Sequence, residues 1–415
     1  MKCRIAGDET IELFSLGDLY VSDFITDDGE PRAGKEEMKL LLSKESGLLQ
    51  LEKAVDPDFM YGKYWYRSGT NATMKKELQD VVESVVDSVP CDDGDIFLDI
   101  ACNDGTLFTF VPDKFTTIGI DPCDDTYASE SRKHASCVVQ DYFSAESYKK
   151  VSKKKAKIIT TIAMFYDLED PVSFLNDIDE VMDDEGIFVL QMSYTPLMLD
   201  QLAFDNICHE HICFYSLSSM KYLLDKTGFD IVDCILNDVN GGSFRIYIRK
   251  KCATKEKFKT APYRDVANFR IQSLLSHEKE LKLNEPEIYQ NFYQKILTLR
   301  EETVNFVKKV KSEGKTVWGY GASTKGNTLL QWFGLDSSLI DGIAERNSGK
   351  FGLKTIGTNI PIYSEEDMRM ANPDYLLILP WHFIYEFSRR EKDYLNRGGK
   401  FIVPCPSFEI IGSDK

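Results

Sequence analysis

The chain has 415 residues, 43% hydrophobic and 28% charged, and 50 Lys plus Arg against 67 Asp plus Glu give it a formal net charge of −17. That length exceeds one ordinary core and fits two or three domains, and the composition is that of a globular protein rather than a disordered or fibrous one. The acidic balance excludes extended nucleic acid, but a small nucleotide held by backbone N–H groups and one or two local cations stays within reach.

The ten cysteines stand singly with no C-x-x-C pair, which fits reduced thiols better than a disulfide framework. No apolar h-region follows Met1-Lys2-Cys3-Arg4-Ile5, and no run of about 18 apolar residues occurs anywhere, so a cytoplasmic protein without a membrane partner is expected.

From Lys2 to about Gly69 the sequence is irregular, with strand-like runs at Lys39–Leu42 and Leu48–Leu51, and reads as a small β-rich module. Met74, Leu78, Val81, Val82 and Val85 then give Thr73–Val86 helical spacing, ended by Pro90 and Asp92-Asp93-Gly94. Short apolar runs at Ile96–Ile100, Thr117–Ile120, Lys157–Ile162 and Ile187–Met192 alternate with helical stretches such as Pro171–Met182. That alternation predicts βαβ units and a mostly parallel sheet. Ser218–Thr227 reads as a helix stopped by Gly228, and Phe229–Leu236 with Ser243–Arg249 as an antiparallel pair about Asn240-Gly241-Gly242 that closes the sheet. Asp265–Glu313 has a helical pattern and serves as a connector. A second alternation follows, with strands expected at Thr316–Trp318, Leu339–Ile343, Tyr375–Leu379 and Lys400–Val403.

The run Asp95–Thr106 is a buried strand leading into a small-residue turn, Ala101-Cys102-Asn103-Asp104-Gly105, and then a helix, the arrangement that brings backbone close to a ligand under a helix N-terminus. Asp121 ends the next strand, 17 residues past Asp104, where a carboxylate can accept the hydroxyls of a ribose. Asp141 follows Val138-Val139 and is placed to meet an adenine amino group. Each acid alone is better read as a turn or cap residue; together and in this order they point to adenosine. The turn lacks G-x-G-x-x-G, which argues for S-adenosylmethionine over a pyrophosphate-bearing dinucleotide.

Two of the five histidines lie in Cys208-His209-Glu210-His211. In an extended backbone His209 and His211 would share one face and Glu210 the other. A metal needs a further ligand that the spacing does not offer, so no metal is expected. A general base oriented by a carboxylate is the competing reading, and structural hydrogen bonding is about as good a reading on these residues alone. The aromatic cluster Tyr64-Trp65-Tyr66 would by itself be taken for packing.

Taken together, Tyr64–Thr70, Asp99–Gly105, Phe165-Tyr166-Asp167-Leu168-Glu169-Asp170-Pro171, Cys208–His211, Asn240–Ser243, Gly319–Thr328 and Pro380-Trp381-His382-Phe383 resemble the NDP-sugar C-methyltransferases of deoxysugar and surface-polysaccharide pathways, in the family's order and over nearly the whole chain. The resemblance implies an α/β protein in three parts: a small N-terminal module (1–70), a class I S-adenosylmethionine-dependent methyltransferase domain with a Rossmann-like sheet (71–252), and a helical connector with a C-terminal Rossmann-like domain that helps hold the nucleotide sugar (253–415). It implies His211 as the base that removes a proton beside a ketone, assisted by Glu210 and by Tyr64 or Tyr66. Cofactor contacts are expected from Asp99, Ala101, Asn103, Asp104, Gly105, Asp121, Pro122, Asp141, Ala163 and Met164. Substrate contacts are expected from Ser68, His209, Tyr215, Asn240, Gly241, Gly242, Arg245, Tyr320 and Lys325, in a monomer or homodimer. Members of the family carry two C-x-x-C pairs for structural zinc in the N-terminal module; this chain has Cys3 with Ala6 and Ser43 with Ser46, so the module is expected to be zinc-free.

Two other enzymatic readings remain at this point. Transfer to a sugar oxygen would need the same donor, whereas Gly319-x-Gly321-x-x-x-x-Gly326 after Thr316–Trp318 could be taken for an NAD turn of an oxidoreductase although its spacing is not the dinucleotide fingerprint. A phosphate cradle that uses Lys325 is preferred. A binder that has lost its chemistry is the third class, and the His-Glu-His cluster argues against it.

Overall fold

The computed structural model describes residues 1–415 except 27, 28, 30, 32, 33, 62–64, 255–263, 414 and 415. A seven-stranded sheet occupies the middle of the chain, in the spatial order Phe229–Asn237, Ser243–Lys250, Met182–Ser193, Ala156–Ile162, Ile96–Ile100, Thr116–Ile120 and Cys137–Val139. The five strands from Met182–Ser193 to Cys137–Val139 are parallel, and Ser243–Lys250 runs antiparallel to both of its neighbours. This is the class I methyltransferase order, and its topological switch point, where an α/β sheet opens a crevice, lies between Ile96–Ile100 and Ala156–Ile162. The strand Ile96–Ile100 is buried along its whole length, as a central parallel strand covered on both faces must be.

The last third folds into a six-stranded sheet in the order Ile362–Ser364, Gly342–Glu345, Val317–Tyr320, Tyr375–Ile378, Lys400–Val403 and Glu409–Ile411, parallel except for its final edge strand. Counted in sequence order this is 3-2-1-4-5-6, the Rossmann arrangement. The expected strand Leu339–Ile343 starts later, at Gly342, because Asp336–Ile340 closes a turn with the Ile340 N–H donating to the Asp336 carbonyl.

The connector is two helices, Arg264–Leu281 and Pro286–Ser312. The second has proline at its start and buries Tyr289, Phe292, Ile296, Leu299, Thr303, Val307 and Val310, a single stripe at helical spacing. On the first, the buried Glu278 accepts the Tyr194 hydroxyl and the N–H groups of Leu217 and Ser218 at 2.6–2.8 Å, so it caps the helix Leu217–Thr227 from another element.

The N-terminal region is more regular than its sequence implies. Ile11–Tyr20 is a ten-residue strand paired with Lys35–Leu42, but irregular register at Ser15–Asp18, with Gly17 at φ 85°, hides its period of two. Its four-stranded sheet is completed by Leu49–Leu51 and, from the middle of the chain, Cys213–Phe214. Phe14 and Met38 share a core with Phe292 and Ile296, while Cys3, Ile5 and Leu48 join the core of the seven-stranded sheet, so the module is wedged between the other two units. The positions that the resemblance links to zinc do converge. The Ser46 hydroxyl, 3.5 Å from the Cys3 sulfur, donates to Ser43 (2.9 Å), and Ser43 donates to Asp8 (2.7 Å). Among the described residues all ten cysteines are free, and no helix is long and apolar enough to cross a membrane.

Candidate active site

Beyond Ile100 the backbone twists back on itself, with Ala101 at φ 61°, Asn103 at φ 52° and Gly105 at φ 74°. A Cβ on Gly105 would stand 2.6 Å from Ser131 Cα, which excludes any side chain there. Asp121 fastens this loop: its carboxylate accepts the Asn103 N–H at 2.7 Å and the Cys123 N–H at 2.8 Å. Each oxygen keeps acceptor capacity for a further donor. Asp99 sits beneath, buried and accepting the Thr160 hydroxyl at 2.6 Å; burial pushes its carboxyl up to about 7, with Asp121 adding to the rise.

The same loop grips the aromatic segment. Asn103 accepts the Ser68 N–H and donates to the Tyr66 carbonyl, both at 3.1 Å, and Asp104 accepts the Gly69 N–H at 2.9 Å. Asp104 and Gly105 thus shape the site rather than line it, and Tyr66 is carried into the cavity wall. There it stands 41% exposed. Tyr64 lies outside the described residues.

The segment 206–212 is a turn, not the extended stretch that would put both histidines on one face. The Cys208 N–H donates to the Asn206 carbonyl and the His211 N–H to the Cys208 carbonyl, so Glu210 and His211 face the cavity together. His209 turns the other way, with Nε2 3.3 Å from the Glu36 carbonyl of the N-terminal sheet. The turn is clamped because the Ile212 N–H donates to the Tyr166 carbonyl and the Leu51 N–H to the Ile212 carbonyl. His211 Nδ1 lies 2.9 Å from the Asn206 carbonyl, which can only accept, so Nδ1 carries the proton and Nε2 the lone pair. Burial, reinforced by the Lys325 charge, holds His211 well below its ordinary value and keeps it neutral at pH 7. Burial pushes Glu210 up to about 7, against the pull of Thr324, Lys325 and Lys350. Lys325 opens the helix Thr324–Phe333 of the C-terminal sheet and donates to the Asn206 side-chain oxygen at 2.5 Å.

One cavity of about 390 Å³ joins these groups. Asp99, Ala101, Asn103, Asp121, Pro122, Ala163 and Met164 line one part, and Tyr66, Ser68, Glu210, His211, Asn240 and Lys325 also face it. Several expected residues do not. Asp141 comes two residues after the strand Cys137–Val139 and pairs with Lys150 at 3.3 Å; Tyr142 and Phe143 line the cavity in its place. Arg245 is buried away from it, its guanidinium held by Glu77 (2.7 Å), Asp80 (2.9 Å) and Gln191 (2.8 Å). The Tyr320 hydroxyl points into a charged cluster, donating to Glu391 at 2.7 Å, and Tyr215 packs its ring on Phe165. Gly241 and Gly242 are packing positions, where a Cβ would meet Trp381 at 3.2 Å or Leu197 at 2.7 Å. Tyr166, Asp167 and Thr324 line the cavity without having been given roles. Their signal was position: Tyr166 and Asp167 follow the C-terminal end of a parallel strand, where such sheets hold ligands.

The glycine turn after Val317–Tyr320 is already filled by protein. The Ala322 N–H donates to Glu345 at 2.8 Å, Lys350 donates to the Ala322 carbonyl at 2.7 Å, and a Cβ on Gly321 would lie 2.7 Å from Pro380. These contacts take up the backbone at Gly321 and Ala322, where the glycine turn would otherwise approach a pyrophosphate.

A model of a methyltransferase domain matches residues 70–233, and a model of the C-methyltransferase C-terminal domain matches residues 238–406. Over 419 residues the chain is 26% identical to C-methyltransferase NovU of Streptomyces niveus, covering 100% of this chain and 97% of that protein. The two matches lie end to end, a methyltransferase domain followed by a C-methyltransferase C-terminal domain. The chain is an S-adenosylmethionine-dependent methyltransferase. Among solved structures it resembles the mitomycin 7-O-methyltransferase MmcR (15% identity, TM-score 0.33, 43% of this chain and 54% of that one). It also resembles the magnesium protoporphyrin IX methyltransferase ChlM of Synechocystis PCC 6803, solved with bound S-adenosylmethionine (12% identity, TM-score 0.32, 46% of this chain and 88% of that one).

Proposed function

We propose that the chain methylates the carbon next to the ketone of a nucleotide-linked keto-sugar, with His211 removing the proton from that carbon. The observation that carries this reading is one cavity in which Asn103 and Asp121 face the same space as a neutral histidine of fixed tautomer. The left-handed loop and the Asp121 carboxylate suit a ribose with no attached pyrophosphate. Asn103, Asp121, Pro122, Ala163 and Met164 would hold S-adenosylmethionine, which supplies an electrophilic methyl group when bound. His211 Nε2 takes the carbon-bound proton, and Tyr66 with a protonated Glu210 can donate hydrogen bonds to the enolate oxygen that forms. Thr324, Lys325 and Asn240 face the cavity from other elements and suit the anionic, nucleotide-linked end of the substrate.

His211→Asn and His211→Ala should leave S-adenosylmethionine affinity unchanged in calorimetry and slow methylation about a hundredfold or more. Exchange of deuterium from solvent into a keto-sugar nucleotide, without the methyl donor, should be lost with the same variants. Wild-type methylation by either variant would refute the role of His211. A product methyl located on oxygen by NMR would refute the carbon assignment.

A further inference from the structure

We infer that Cys208, Glu210 and His211 form a binding site for a zinc-class divalent cation, and that its occupation switches the enzyme off. One ligand atom from each residue lies within 4.8 Å of the others. Cys208 and His211 are buried and Glu210 is mostly so, unlike the surface acid clusters that gather in any acidic protein. The donor set is a thiol sulfur, an imidazole nitrogen and a carboxylate oxygen, which suits zinc, cobalt or nickel and not calcium or magnesium.

Tetrahedral zinc with bonds of about 2.0–2.3 Å needs ligand atoms about 3.3–3.8 Å apart, so the three must close by no more than about 1.5 Å. The tight turn 206–211 makes this a matter of side-chain rotation. The Asn206 carbonyl holds the Nδ1 proton of His211 and leaves the other ring nitrogen as the metal-binding atom, the outer contact that commonly orients a ligating histidine. Glu210 and His211 both open on the cavity, leaving the fourth position for water. On binding, the Cys208 sulfur releases its proton to solvent. The resulting thiolate and carboxylate balance the cation, against the opposing charges of Lys325 and Lys350. His209 takes no part, because it faces the N-terminal sheet.

Occupation uses the nitrogen lone pair assigned above to proton removal, so inhibition rests on that reading; the binding itself does not. The test is a cobalt(II) titration of the metal-free full chain, which requires no substrate. One equivalent should produce the near-ultraviolet band of a cobalt–thiolate bond. Cys208→Ser should abolish it and His211→Asn weaken binding at least tenfold, with calorimetry of S-adenosylmethionine confirming that both variants fold. Cys3→Ser should keep the band. No band in the wild type, a band that survives Cys208→Ser, or one lost in Cys3→Ser would overturn the site. In parallel, one equivalent of zinc(II) should abolish methylation without changing donor affinity, and chelation should restore it. Zinc-insensitive turnover alongside an intact cobalt band would overturn the inhibitory role alone.

Discussion

Glu210→Gln tests the electrostatics of the cavity apart from its chemistry. Burial raises the Glu210 carboxyl from its ordinary 4.5 to about 7. The folded chain therefore holds this proton more tightly than the unfolded chain does. The stability this confers is fully present below about 4.5 and is lost as pH rises through 7. For those two values, linkage gives about 2.5 kcal/mol lost between pH 5 and pH 8, and screening by water in the cavity reduces this to about 1–2.5 kcal/mol. Glutamine is neutral at both pH values. The variant should therefore gain that much on wild type between pH 5 and pH 8, a change of about 2–10 °C in the melting transition for a domain of this size. Thermal unfolding of both proteins at the two pH values is the assay. Asp99, also raised to about 7, titrates in both and cancels in the difference. An identical gap between variant and wild type at pH 5 and pH 8 would refute a buried, high-titrating Glu210.

Asp121→Ala should weaken S-adenosylmethionine binding by about 1.5–3 kcal/mol in calorimetry, and unchanged affinity would remove Asp121 from the donor site. Because Asp121 also holds the Asn103 N–H, Asp121→Asn should recover only part of the loss. Arg245→Ala should destabilise the fold by about 3 kcal/mol in urea unfolding, because it strands the Glu77 carboxylate, while leaving donor affinity intact. A loss of affinity without a loss of stability would return Arg245 to the site. Ser46→Ala breaks the chain from Cys3 to Asp8 and should cost about 1 kcal/mol of stability; no change would show that packing alone holds the N-terminal knuckle.

Much of the architecture was legible in the sequence because its signals are local. The run Ile96–Ile100 is uniformly apolar but for Asp99 and followed by small residues, so both the buried strand and the ligand turn after it could be read. Gly228 stopped its helix where the spacing indicated, in the left-handed conformation at φ 88°. Val138-Val139 likewise marked a strand, but which following residue enters the cavity depends on where pairing stops. Asp141 therefore falls outside the cavity, and its aromatic successors Tyr142 and Phe143 line it.

The sequence by itself determined the two α/β units, the small-residue turn after Ile96–Ile100, and the concentration of titratable groups in Cys208–His211, because strand periodicity, turn residues and short motifs are written in neighbouring positions. Tertiary structure alone decided which side chains of that motif face the cavity. A two-strand pairing of Cys213–Phe214 with a sheet built from the first fifty-one residues, and the Asn206 carbonyl on His211, turn Glu210 and His211 inward and His209 out. Lys325 reaches the same cavity from more than a hundred residues away, and Arg245 is withdrawn from it by acids on a distant helix. Such choices are made by hydrogen bonds and charges between residues remote in sequence, where no local period or motif records the partner.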